Sequence, residues 1–178
     1  MYNVETGATE MKEKGDTNKI FDLCFTDKQG DYAFATAGAK HIKFWNAVTK
    51  QAEKGLFAGK GEPTSFACVA YDNNGVAYTG GCNSQIYVWP TRELSKSVEI
   101  HKGGFICALR WVEGKLYSGG KDGNVIITNS ATMTVEKMIN FGGLIRAIDV
   151  VGSKALVGCR DGTIYEVDIN SSSKKDII

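Results

Sequence analysis

The sequence predicts an all-β fold of about four β-propeller blades, on three observations. A unit of three recognisable strands recurs about every 40 residues, as blades do. Aromatic and β-branched residues alternate with polar ones inside each unit. The chain is rich in glycine, with 21, and poor in proline, with 2, which suits short strands joined by tight turns.

Four segments align, at 20–46, 64–90, 106–129 and 145–168. The second strands end in TAGAKHIKFWN (36–46), TGGCNSQIYVWP (79–90), SGGKDGNVIITN (118–129) and VGCRDGTIYEVD (157–168). Thr36, Thr79, Ser118 and Val157 are thereby equivalent, at spacings of 43, 39 and 39. The period is too long for leucine-rich repeats, and the units lack the 3.6-residue apolar spacing of helical repeats.

The strands are credible one by one. Phe21, Leu23 and Phe25 alternate with Asp22, Cys24 and Thr26, and Phe105, Cys107, Leu109 and Trp111 alternate in the third unit. Turns are expected at 27–31, 72–75, 113–114 and 152–153, with tight hairpins at Asp122-Gly123 and Asp161-Gly162. Outer strands are expected at 52–57, 97–100 and 135–139, and the last one is short, disordered or missing. The glycines at 80–81, 119–120 and 158 imply close backbone approach and positive φ. No helix follows them and no GxxxxGK[ST] pattern exists, which sets a phosphate-binding loop aside. Residues 1–17 read as a lead-in, an outer strand of a preceding blade. The blades cover about 18–60, 61–102, 103–141 and 142–170, and 171–178 is a tail.

Composition bounds the function. A formal charge of +1 and no block of like charge argue against a nucleic-acid partner. No window approaches a membrane span, and the N-terminal residues lack the apolar stretch of a signal peptide, so the expectation is no membrane and a cytoplasmic location. The five cysteines, Cys24, Cys68, Cys82, Cys107 and Cys159, show no metal-ligand spacing, and their odd count suits a reducing compartment. Neither histidine, His41 or His101, lies in an HExxH pattern, and no nucleophile elbow is present. Asp27, Asp31, Asp72, Asp149 and Asp161 are read as scattered through the loops, with nothing that pairs two of them across one cleft. No catalytic residue, metal or cofactor is expected.

Trp45-Asn46 and Trp89-Pro90 occupy the place of the Trp-Asp pair of WD repeats, with Thr128-Asn129 and Val167-Asp168 as departures. The units therefore resemble WD40-type blades. That resemblance implies a buried network of His, Ser or Thr, Asp and Trp in each blade. His101, Ser118 and Asp122 match three of its places, and Thr128 stands in the fourth. It also implies that Trp45 and Trp89 pack between blades.

The order of TAGAKHIKFWN, GLFAGKGEPTSFACVAYDNNGVAYTGG and HKGGFICALRWVEGKLYSGGKDGNVIITN is similar to the echinoderm microtubule-associated protein-like family, over residues 18–170. The resemblance places the chain in the second half of the first of that family's two propellers, as a partial propeller or a fragment. It implies a non-catalytic scaffold on microtubules and the cytoskeleton, with tubulin as partner. The other reading is a generic propeller module for protein partners unrelated to tubulin. Lys40, Lys121 and Arg160, which follow the glycine-rich strand ends, are the candidate partner-binding surface, with Lys60, Glu62, Arg92 and Lys102 as further surface residues. Four blades leave apolar end faces, and a homodimer closing an eight-bladed ring would bury them.

Overall fold

A computed structural model describes residues 1–28 and 32–178. Asp31, and with it part of the turn expected at 27–31, lies outside the described residues. Among the described residues, sixteen strands form four antiparallel sheets of four, each in simple sequence order. The first blade holds β1 (Ile20–Phe25), β2 (Phe34–Gly38), β3 (His41–Asn46) and β4 (Gln51–Lys54). The second holds β5 (Phe66–Tyr71), β6 (Ala77–Gly81), β7 (Gln85–Trp89) and β8 (Lys96–Glu99). The third holds β9 (Ile106–Val112), β10 (Lys115–Gly120), β11 (Asn124–Asn129) and β12 (Val135–Asn140). The fourth holds β13 (Ile145–Val151), β14 (Lys154–Cys159), β15 (Ile164–Asp168) and β16 (Lys174–Asp176). These are WD40-type blades, as the sequence predicts.

Neighbouring blades meet through their first strands, in the order β1, β5, β9, β13. The four form an arc that is not a closed propeller. Three apolar clusters fill its three joints. Ala35, Ile42 and Phe44 of the first blade pack with Phe66, Tyr87 and Trp89 of the second. Tyr78, Ile86 and Val88 pack with Ile106, Leu109 and Leu116. Tyr117, Val125 and Ile127 pack with Ile145, Ile148 and Val157. Burial of such side chains stabilises each joint by about 1.5–3 kcal/mol per large residue.

The expected alternation in the first strands is broken at one place, and it is the same place in every blade. The register shifts between Ile20 and Asp22, Phe66 and Cys68, and Ile145 and Ala147, and opposite Gly119 and Gly120 in the third blade. A bulge adds a residue and sharpens the strand twist. Ile106 and Leu109 therefore join the cluster facing the second blade, while Ala108 joins the cluster facing the fourth.

The outer strands are shorter or shifted. β4 ends at Lys54, although the Gly55 N–H still donates to the Ile42 carbonyl at 3.0 Å. A Cβ on Gly55 would lie 2.6 Å from Ile42 Cγ2 and 3.0 Å from Trp89 Cζ3, so that only glycine fits there. Leu56 then forms a parallel bridge to Glu93 of the next blade. The last outer strand is β16, three exposed residues. Residues 1–17 contribute a bridge between Tyr2 and Thr9, and Met11 is buried. Among the described residues, no helix is long and apolar enough to cross a membrane.

Candidate interaction face and the blade ties

In the third blade, His101 reaches down from the loop before β9 and is 1% exposed. Its Nδ1 lies 2.9 Å from Asp122 Oδ1, and its Nε2 lies 2.8 Å from Ser118 Oγ. Asp122 also accepts the Lys102 N–H at 3.1 Å and the Asn124 N–H at 3.2 Å. The β10–β11 turn is thus tied to the loop entering the blade. Burial pushes the Asp122 carboxyl up, but the bonds from His101, Lys102 and Asn124 outweigh it and hold it below its ordinary value. The set has the residue types of a catalytic triad without its geometry of access. Ser118 is fully buried and has the Ile126 carbonyl as a second partner at 3.3 Å, and both imidazole nitrogens are engaged. The arrangement is a structural tie.

The other blades carry different parts of that tie. Trp45 Nε1 donates to Thr36 Oγ1, and Trp89 Nε1 to Thr79 Oγ1, each at 3.0 Å. In the third blade Thr128 takes the tryptophan place, and its buried hydroxyl has no partner. The fourth blade has Val157 in the serine place, buried and apolar. Trp89 packs between two blades, against Phe44 at 6.0 Å and Phe66 at 6.1 Å. Trp45, in the first blade, stacks on Phe34 at 5.5 Å and faces the N-terminal segment rather than another blade.

The first blade builds its own His–Asp pair the other way round, with the acid in the lead-in and the base on the blade. Asp16 lies 3.7 Å from His41 Nδ1 and 3.0 Å from Lys43 Nζ. The Asn18 N–H and then the Lys43 ammonium hold the Asp16 carboxyl far below the usual range. Sequence reasoning passed over Asp16. The available signal was an aspartate shortly before a first strand, in the part of the repeat that His101 occupies in the third blade.

The turns between second and third strands line one face of the arc. The Ala39, Cys82, Lys121 and Arg160 N–H groups donate to the carbonyls of Lys19, Ser65, Phe105 and Leu144 at 2.8–3.0 Å. Lys121 and Arg160 are therefore true equivalents, both exposed. Lys40 is not. The first turn is one residue shorter, and Lys40 (φ 59°) takes the left-handed place of Ser84 (69°), Gly123 (77°) and Gly162 (96°). This corrects the expectation that Lys40 matches Lys121. The expected positive φ likewise falls on those turn residues and not on Gly80, Gly81, Gly119, Gly120 or Gly158. The Lys121 ammonium lies 5.8 Å from the centre of the Phe105 ring.

The remaining surface residues are mostly paired. Lys60 meets Glu93 at 3.4 Å, Arg92 meets Glu53 at 3.7 Å, and Asp149 meets Arg110 at 3.6 Å. Asp72 caps its own turn, accepting the Asn74 and Val76 N–H groups at 2.9 and 2.8 Å. Among the described residues, no three His, Cys, Asp or Glu side chains gather to hold a metal ion. The five cysteines are free thiols, of which Cys82 is exposed.

No family model matches the chain. It is 42% identical over 115 residues to the ciliary WD repeat-containing protein ctxp80 of Euplotoides octocarinatus, covering 64% of this chain and 16% of that one. It is 30% identical over 101 residues to the 77 kDa echinoderm microtubule-associated protein of Strongylocentrotus purpuratus, covering 52% and 15%. The chain thus spans about one sixth of the length of these relatives. Among solved structures, the RRP9 WD40 repeats superpose with a TM-score of 0.80 at 20% identity, over 92% of this chain and 52% of that one. The computationally designed Ika8 protein superposes at 0.76 and 19% identity, over 97% and 53%. The designed Ika4 protein superposes at 0.75 and 20% identity, over 92% and 99%.

Proposed function

We propose, from a WD40-repeat homology that is partial and of low identity, that this chain is a non-catalytic module for binding protein partners. The observation that carries this reading is the separation of duties at the turns. One backbone bond recurs in all four blades, while the side chain beside it changes from a half-buried Ala39 to an exposed Cys82, Lys121 and Arg160. A fixed backbone with freely varying side chains is what a recognition surface on a rigid scaffold requires.

Association with microtubules is the finer reading. It is supported by the 30% identity to the echinoderm microtubule-associated protein and by the exposed cations Lys40, Lys121 and Arg160. A cytoplasmic, cytoskeletal location goes with it. Co-sedimentation with polymerised tubulin at two salt concentrations tests it. The microtubule reading predicts pelleting at low salt, weakening as salt screens the cations and lost in a Lys40→Glu/Lys121→Glu/Arg160→Glu variant. A chain that stays in the supernatant at low salt removes tubulin and leaves the general protein-binding reading.

A further inference from the structure

The two ends of the arc carry the two halves of one joint. At each inner joint, the first residue of a first strand presses on the small residue one step before the end of the preceding blade's second strand. A Cβ built on Gly80 would lie 2.9 Å from Ile106 Cβ, and one on Gly119 would lie 2.9 Å from Ile145 Cβ. Side chains do not pack that closely, so glycine is required there. Phe66 and Ala37, both fully buried in one cluster, form the equivalent pair at the first joint.

By register, Ile20 is the counterpart of Phe66, Ile106 and Ile145. Those three are 0% exposed, whereas Ile20 is 43% exposed. Gly158 is the counterpart of Gly80 and Gly119. A Cβ on Gly158 would meet only Ala147 Cβ, at an ordinary 3.7 Å. Ile20 is a knob with no blade to receive it, its Cδ1 lying instead beside Gly15 of the lead-in, where a Cβ would come within 3.0 Å, and Gly158 is a socket without a knob.

The surroundings agree. Leu23 and Phe25 lie bare beside Ile20, and Leu156 lies bare beside Gly158. Farther out, the lead-in lies against Phe34 and Trp45, and Glu166, held by Lys154 at 3.1 Å, replaces the Phe44, Val88 and Ile127 of the inner joints. Exposed apolar side chains thus adjoin knob and socket on the inner strands, while Tyr2, Val4, Ile177 and Ile178 are exposed at the outer margins.

We infer that two copies of this chain close head to tail into one ring, with Ile20 of each seated on Gly158 of the other. A two-fold ring uses the same joint twice and leaves no bare end face. The curvature agrees, because the four blades superpose on about half of the RRP9 and Ika8 chains, at 52% and 53%. The inference does not depend on which partner the turn surface binds.

Light scattering over a concentration series tests it, on the full 178-residue chain and on Ile20→Asp and Gly158→Leu variants. Ile20 is 43% exposed and a Cβ on Gly158 meets only Ala147 Cβ at 3.7 Å, so both variants are expected to keep their fold, checked by circular dichroism and thermal melting. The wild type should weigh twice 19.3 kDa, and each variant alone half of that dimer. A folded wild type that stays single, or a variant that stays double, overturns the head-to-tail ring.

Discussion

Asp122 sits 2.9 Å from His101 Nδ1, joining the turn after the third blade's second strand to the loop that enters the blade. Asp16 sits 3.7 Å from His41 of the first blade, in a pair of inverted origin. Both carboxyls lie below their ordinary value of 3.8 in the folded chain. A depressed carboxyl stabilises the fold above its unfolded value and loses that contribution as pH falls towards the folded one. Urea midpoints should therefore fall steeply between about pH 4 and pH 2. An Asp16→Asn/Asp122→Asn variant should be less stable at neutral pH and flatter over the acid range. Parallel wild-type and variant profiles would contradict this.

Trp89 and Thr79 form a pair whose removal can be balanced. Trp89→Phe keeps most of the aromatic packing but deprives a fully buried hydroxyl of its donor. The expected cost is about 1–3 kcal/mol. Adding Thr79→Val should return part of that cost, because both polar partners are then gone. Chemical denaturation of the two singles and the double checks it, and strict additivity would count against the bond.

Thr128 offers the reverse case. Its hydroxyl is buried without a partner, at the place of Trp45 and Trp89. Thr128→Val removes that hydroxyl at nearly constant volume and should stabilise the chain by about 1 kcal/mol. A lowered melting temperature would show that the hydroxyl has a partner.

The blades were legible in the sequence because their strands repeat at fixed spacing, and period alone placed all four second strands. The turn at 39–40 was not, because one missing residue moves Lys40 into the left-handed place that Gly123 marks in the third blade. The bulges at the start of each first strand were also hidden. A bulge is a pairing property, and the strict alternation of Phe21, Leu23 and Phe25 carries no mark of the shift beside Ile20. His101, Ser118 and Asp122 were placed together by resemblance to a repeat pattern, whereas Asp16 fits no such pattern and needed the folded lead-in.

Among the turn residues, Asp122 ties the third blade, whereas Lys121 and Arg160 are exposed and are the proposed partner surface. Equilibrium denaturation of Asp122→Ala beside Lys121→Glu/Arg160→Glu tests that division most directly. The predicted result is a loss of about 1–3 kcal/mol for Asp122→Ala and a change within about 0.5 kcal/mol for the charge reversals. A neutral Asp122→Ala, or charge reversals that unfold the chain, would contradict it.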